Sequence, residues 1–343
     1  MNSNNQQKTW QSFREKIEFL KQSDSYHEDN SLIESIETHM SWVFLTDKHA
    51  YKIKKPVEFS FLDFSHITSR FLNCHKEIKL NQPLAPDIYL DVVPMIQSHL
   101  HAFYPIDWLR EGNIVDWLVK MRRFPREQTL DNVILRDNID ESLLLAAAYK
   151  LVKFYQDAHP LPLHPKEYIL RLHQYIDENY QALLNKKYQF NQSVIIEMHE
   201  AQMHQLDLLS EYITHRVLEG RIIECHGDLR PEHICLISPP IFTDRLEFNT
   251  SLRIMDPVAE LSYLSLECEF LGKPEVGAFF LQIYQKEFPD IPDPRLTEFY
   301  KSYKACLRAK ISAWHLDDEH VVNQEKWHKK AKAYLNLATK IMN

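Results

Sequence analysis

The apolar spacing of this chain changes character once, and that change limits the folds open to it. Up to about residue 124 the apolar residues come in short alternating or continuous runs. Beyond it they recur almost everywhere at the three-and-four spacing of helices. In the first part, Thr9 to Gln22 carries Trp10, Phe13, Ile17 and Leu20 at helical spacing. `SWVFLT` (41–46) reads as a strand, Asp47-Lys48 as a turn and `HAYKIKKPV` as the hairpin partner. Alternation along that partner sets Tyr51 and Ile53 on one side and Ala50, Lys52 and Lys54 on the other. Thr68 to Leu84 reads as a helix closed by Pro83 and Pro86. `DIYLDVVPMI`, `AFYPI` and `DWLVKMRRF` follow as three β-like runs.

After `FPREQTL`, seven helices are expected: Leu143–His159, Tyr168–Leu184, Gln192–Glu219, Ala259–Leu271, Val276–Phe288, Arg295–Leu316 and Gln324–Ile341. The expected division is 1–124 as a β-rich part with an N-terminal and one inserted helix, and 125–343 as a helical part, with the boundary near Phe124–Gln128. At 343 residues the chain is long enough for both. Glycine is scarce, five in all, and neither GxGxxG nor GxxxxGK[ST] occurs. A bound nucleotide would therefore need other backbone for its phosphates. The net charge of −8 argues against a dedicated nucleic-acid binder. No apolar run is long enough to span a bilayer, and the polar N-terminus has no h-region. The five cysteines, odd in number and without a CxxC, read as reduced thiols. A cytoplasmic protein is the expectation.

One non-helical stretch interrupts the second part: `RIIECHGDLRPEHICLISPPIFTD` (221–244). `RIIEC` reads as a strand and `HGDLRPEH` as a polar loop. `ICLI` and `IFTD` then flank Ser238-Pro239-Pro240, a turn signal. Folded about Pro239, that hairpin would return Asp244 to the loop of Asp228 and His233. Carboxylates gathered this way suit a hard cation, with water and phosphate oxygens completing its shell. Cys225, His226, His233 and Cys235 match no common zinc-finger spacing. Asp256, before Pro257, carries a helix-start signal.

`HGDLRPEHICL` followed by `FTDRLEFN` resembles the aminoglycoside phosphotransferase-like family, whose fold is related to protein kinases. The family loop reads H-G-D-x-x-x-x-N, and a short hairpin leads from it to a metal-binding Asp. `HAYK` resembles the kinase A-x-K strand, and `HKEIKLN` supplies a glutamate on the next helix. The segments `ETHMSWVFLTDKHAYKIKKPVEFSFLDFS` and `LAPDIYLDVVP` resemble one bacterial subgroup, so the likeness runs over roughly residues 30 to 320.

The resemblance implies an α+β, two-lobed protein-kinase-like fold with a small β-rich N-lobe and a larger, mostly helical C-lobe that holds the catalytic loop and the metal-binding hairpin. It implies ATP and Mg²⁺ as cofactors and a small-molecule hydroxyl as acceptor. Asp228, beside His226, is then the candidate base, and Asp244 the candidate metal ligand. Lys52, with Lys54 ranked second, would contact the phosphates, and Glu77 would orient the lysine. Met121, Arg122, Arg123 and Phe124 would form the hinge strand whose backbone meets adenine. Asp256 would support the catalytic loop, and Glu247 would face the site or pair with an arginine. Position 233 departs from the family: His233 stands where it has Asn. Imidazole suits Mn²⁺ better than Mg²⁺, so His233 would hold a second metal of changed preference, lose it, or bind phosphate as a cation. The departure leaves room for a nucleotide-binding pseudokinase, or for a metal-dependent phosphohydrolase using the same groups. No motif fixes the acceptor; the acidic residues Glu260, Glu267 and Glu269 form a candidate acceptor surface.

Overall fold

The computed structural model describes residues 3–27, 32–59, 62–108, 110–317 and 323–342. Two compact units divide the chain: Met1–Arg126 with Ile241–Ser251, and Glu127–Pro240 with Leu252–Asn343. The segment 241–251, which follows the turn prolines, is thus grouped with the first unit and not with the helices on either side of it.

The first unit is built on a five-stranded antiparallel sheet. Its strands run in the order Glu34–Glu37, Ser41–Leu45, His49–Lys54, Asn113–Arg122, Tyr89–Gln97. The strand bearing the lysines is central, with Lys52 opposite Val43 on one side and Val119 on the other. One face packs Tyr51, Ile53, Phe44, Met95 and Leu118 against Phe13, Ile17 and Leu20 of the helix Ser3–Leu20. The other face carries the helix Ile67–Asn81, whose Phe71 packs at a tilt against Trp117 with ring centroids 4.5 Å apart. Buried Asp116 joins both helices to the sheet, pairing with Lys16 at 2.7 Å and Arg70 at 2.8 Å. The run `AFYPI` forms no strand. Only isolated bridges occur, at Phe103 and Ile106, because Pro105 between them has no N–H to give a ladder.

The second unit contains all seven expected helices, with ends shifted by a few residues, and one more at Leu130–Leu135. Six residues are too few to show a period, which is why this one escapes sequence reading. Pro165, Pro257, Pro274 and Pro294 each open a helix, where a missing N–H costs nothing. Pro257–Phe270 is the central helix, buried on nearly every side. Gly277 lets a neighbouring helix approach it, since a Cβ there would meet Ser265 Cα at 2.4 Å. Small residues do the same where Pro294–Trp314 meets Gln324–Met342: Ala305, Ala309 and Ala313 lie in one core with Ala331 and Ala338. No described helix is long and apolar enough to cross a membrane.

Candidate functional site

In the first unit five charged side chains form an alternating chain, Asp244–Lys52–Glu77–Lys54–Glu247. Strand alternation turns both lysines to the face covered by the helix Ile67–Asn81. Glu77 of that helix gives one oxygen to each: Oε1 to Lys52 Nζ at 2.8 Å and Oε2 to Lys54 Nζ at 2.6 Å. Lys52 also meets Asp244 Oδ1 at 2.8 Å, and Lys54 meets Glu247. The chain runs from solvent into the core. The Asp244 side chain is 47% exposed and that of Lys52 12%, while those of Lys54 and Glu77 are 1% exposed. Burial alone would weaken the charge on Lys52. The carboxylates of Asp244 and Glu77 more than offset it and hold its pKa well above the ordinary lysine value. Burial likewise opposes the charge on Glu77, yet Lys52 and Lys54 keep its pKa below the usual range.

The segment carrying Asp244 is fixed by its own unit. Arg245 N–H donates to Asn81 Oδ1 at 2.9 Å, and the Arg245 guanidinium to Leu80 O at 3.3 Å. Asp244 N–H donates to the Tyr89 hydroxyl at 3.0 Å. Asp244 itself is left-handed, with φ 58°, a conformation that few residues other than glycine tolerate and that aspartate adopts more readily than most. In the expected hinge, Met121 lies in the ladder opposite Ala50 and Tyr89. The amides of Arg122 and Arg123 donate to Ile88 O at 2.8 Å and Lys48 O at 2.9 Å. The N–H groups of Arg122 and Arg123 are thus committed within the unit, and Phe124 follows them, half-buried.

In the second unit the Asp228 loop follows the strand Ile223–Glu224, which pairs with Ile254–Met255. Glu260, one turn into the central helix, holds the loop by its backbone. It accepts from His226 N–H at 3.1 Å, Gly227 N–H at 2.6 Å and the Tyr155 hydroxyl at 2.8 Å. Gly227 has φ 92°, which a side chain would strain. Asp228 Oδ2 pairs with Arg230 at 2.9 Å, and its Oδ1 accepts from the Tyr263 hydroxyl at 3.3 Å. Burial pushes the Asp228 carboxyl up, but the cations around it, Arg230 foremost, bring it down to about 2. At neutral pH it is a carboxylate and can only accept a proton.

His233 has both ring nitrogens engaged. Nε2 lies 3.1 Å from Arg230 Nη2, and Nδ1 lies 2.8 Å from the Asp228 carbonyl oxygen. A guanidinium only donates and a carbonyl only accepts. In this arrangement the two contacts occupy the ring nitrogens that a metal or a phosphate would have to meet. In the first unit, the half-exposed carboxylate of Asp244 is the side chain of the set that could meet a hard cation. Glu247, also considered for the site, is taken up by buried Lys54.

Two further expectations change, the acidic surface and the loop-supporting role of Asp256. Glu260 and Glu267 are buried and Glu269 is held by Lys301 and Lys340, so they form no acidic surface. Asp256 caps its helix through Val258 N–H at 2.9 Å and pairs with Arg216; it is Glu260 that supports the loop. No group of three or more His, Cys, Asp or Glu among the described residues has metal-holding geometry, and the Cys225–Cys235 set is no exception. Sequence reasoning missed Arg230, Tyr263 and Glu260. Only Arg230, two residues from Asp228 in a polar loop, carried a signal.

The chain has the kinase-like fold shared by aminoglycoside phosphotransferases and choline and ethanolamine kinases. A choline kinase from Streptococcus pneumoniae superposes with a TM-score of 0.53 at 15% identity, covering 95% of this chain and 98% of that one. A choline/ethanolamine kinase family protein from Mesorhizobium loti gives 0.53 at 14%, with 91% and 88% covered. Aminoglycoside 2'-phosphotransferase-IIIa, solved as its GDP complex, gives 0.52 at 12%, with 92% and 94% covered. By sequence, an uncharacterised protein of Mycobacterium tuberculosis is 29% identical over 286 residues, 82% of this chain and 55% of the relative. The same figures hold for its counterpart in Mycobacterium bovis. The chain thus spans about half the length of the curated relatives it matches. No family model matches the sequence.

Proposed function

We propose that this chain is a phosphotransferase that moves the γ-phosphate of ATP to a hydroxyl of a small molecule. The observation that carries the reading is Lys52, tied at 2.8 Å both to a helix glutamate and to a half-exposed aspartate. In phosphoryl transfer a strand lysine pairs with phosphates, a helix glutamate holds it, and an aspartate holds Mg²⁺ on the phosphates. Lys52, Glu77 and Asp244 have those chemistries. A divalent cation, when bound, would neutralise charge on the β- and γ-phosphates. Asp228 would take the proton of the attacking hydroxyl as the new O–P bond forms, and the electron pair of the breaking bond would leave with ADP.

Asp228 needs little basicity in a loose transition state. It would gain some as phosphate oxygens draw the Arg230 guanidinium away. Arg230 would also supply positive charge to those phosphate oxygens. Fold neighbours named for aminoglycosides, choline and ethanolamine support transfer to an alcohol.

The deciding measurement is calorimetry of ATP and GTP binding, with Mg²⁺, Mn²⁺ and no metal, on the wild type and Lys52→Ala. Metal-dependent ATP binding that the lysine change weakens is expected. No nucleotide binding under any condition would sink the reading. Asp228→Asn should keep ATP affinity and lose turnover. Phosphate release without any acceptor would favour a phosphohydrolase, and ATP binding without turnover a pseudokinase.

A further inference from the structure

The helix Pro294–Trp314 carries a cation beside the Asp228 loop that the reaction above leaves unused. Lys304 is 6% exposed. Its ammonium lies 5.1 Å from the ring centre of Tyr263 and 5.3 Å from that of Tyr303. Among the described residues no carboxylate comes within ion-pair distance of it, and no hydrogen-bond acceptor meets it. Other buried cations of the chain are matched: Lys16 by Asp116, Lys54 by Glu77 and Glu247, Arg216 by Asp256 and Asp290, Arg308 by Glu267. Burial to this degree opposes the charge on Lys304 and lowers its pKa, even with the carboxylates of Glu260 and Asp228 in reach of its field.

The two carboxylates whose charge reaches Lys304, Glu260 and Asp228, are engaged with other groups. Glu260 holds the loop amides and Tyr155, and Asp228 pairs with Arg230. Tyr263, under the ammonium, is the residue whose hydroxyl donates to Asp228. One phenol ring therefore separates an unmatched positive charge from the group assigned as base. A choline-like cation is repelled by such a neighbour, and an anion supplies the missing partner.

We propose that Lys304 recognises the acceptor, and that the acceptor is a small hydroxylated anion, a carboxylate or a phosphate ester. Its charge pairs with Lys304 while its hydroxyl is presented to Asp228. The proposal rests on the phosphotransferase reading for what happens to that hydroxyl, but not for the anion site itself. Phosphotransfer then forms the acceptor O–P bond, breaks the bond to ADP and passes the hydroxyl proton to Asp228.

The test compares D-glycerate, glycerol 3-phosphate and glycerol, which share hydroxyls and differ in charge. Binding is measured by calorimetry on the wild type, Lys304→Met and Lys304→Arg, with ATP binding measured in parallel. The wild type should bind glycerate or the phosphate ester and not glycerol; which anion binds identifies the source of the charge. Lys304→Met should weaken that binding about tenfold or more, while Lys304→Arg retains it. ATP affinity should be the same in all three proteins. In turnover, the Met variant should raise KM for the anion and leave kcat nearly unchanged. Equal binding of glycerol, no binding of either anion, or indifference to Lys304→Met overturns the proposal. Lys304-dependent anion binding without any ATP binding keeps the anion site and overturns the phosphotransferase reading instead. Should Lys304→Met fail to fold, NMR of the wild type with ¹³C-labelled lysine decides. A buried ammonium signal displaced by an anion but not by glycerol supports the site, and no displaced signal refutes it.

Discussion

Lys52 and Lys54 are two residues apart on one strand and share Glu77, yet their removal should have opposite consequences. Lys54→Met leaves Glu247 without its cation and Glu77 with one of two, both carboxylates being largely out of water. Breaking a buried pair in this way costs about 3–5 kcal/mol. Lys52→Met leaves Glu77 its bond to Lys54, and the other carboxylate it meets, Asp244, is half-exposed and can hydrate. Its cost should be about 1–2 kcal/mol. Urea unfolding followed by tryptophan fluorescence reads the difference, because Trp10, Trp42, Trp108 and Trp117 all belong to the first unit. In a thermal scan the Lys54 variant should melt about 10 °C or more below the wild type, and the Lys52 variant only a few degrees below. Nucleotide affinity should divide the other way: about tenfold or more lost with Lys52→Met, and little changed with Lys54→Met while it stays folded. The pH dependence has a definite sign. In the wild type the Glu77 pKa is depressed, so its stabilisation is present above the ordinary carboxylate range and is lost on acidification. In Lys54→Met the buried carboxylates favour the protonated form, so the deficit should shrink as pH falls. Equal destabilisation by the two substitutions, or a Lys54 variant within about 1 kcal/mol of wild type, would refute the assignment of Lys54 to the core and Lys52 to the ligand.

Two other substitutions test the Asp228 loop. Glu260→Gln keeps the size of the side chain but leaves one oxygen to serve the acceptor contacts with His226, Gly227 and Tyr155. It should cost about 1–3 kcal/mol and lower kcat while ATP affinity, measured by calorimetry, holds. Arg230→Gln removes the cation foremost in keeping Asp228 near a pKa of about 2. The acidic limb of the kcat/KM profile should therefore move to higher pH, and an unmoved limb would mean that it does not report Asp228.

The lysine strand, the helix glutamate and the aspartate after the turn prolines were readable in order. Strand alternation and the spacing of Glu77 along a helix are local properties, and the structure joins these three residues at 2.8 Å. Which lysine faces solvent was not readable, because Lys52 and Lys54 share a strand face and only the exposure of their far partners separates them. Nor could the burial of the helix Pro257–Phe270 be read, although the helix itself was. A helix buried on nearly all sides has no polar stripe to mark an outside, so Glu260 and Glu267 look like surface charges until Tyr155, Arg308 and two loop amides are placed around them. His233 shows the same limit in another form. Its residue type suggests a metal or a charge, but its ring nitrogens meet Arg230 and the Asp228 carbonyl. Those two neighbours lie three and five residues away and become partners only once the loop turns back through Pro231–His233. Lys304 is the extreme case. Its meaning lies in the ion-pair partner it lacks among the described residues, and that follows from where Glu260 and Asp228 are already engaged.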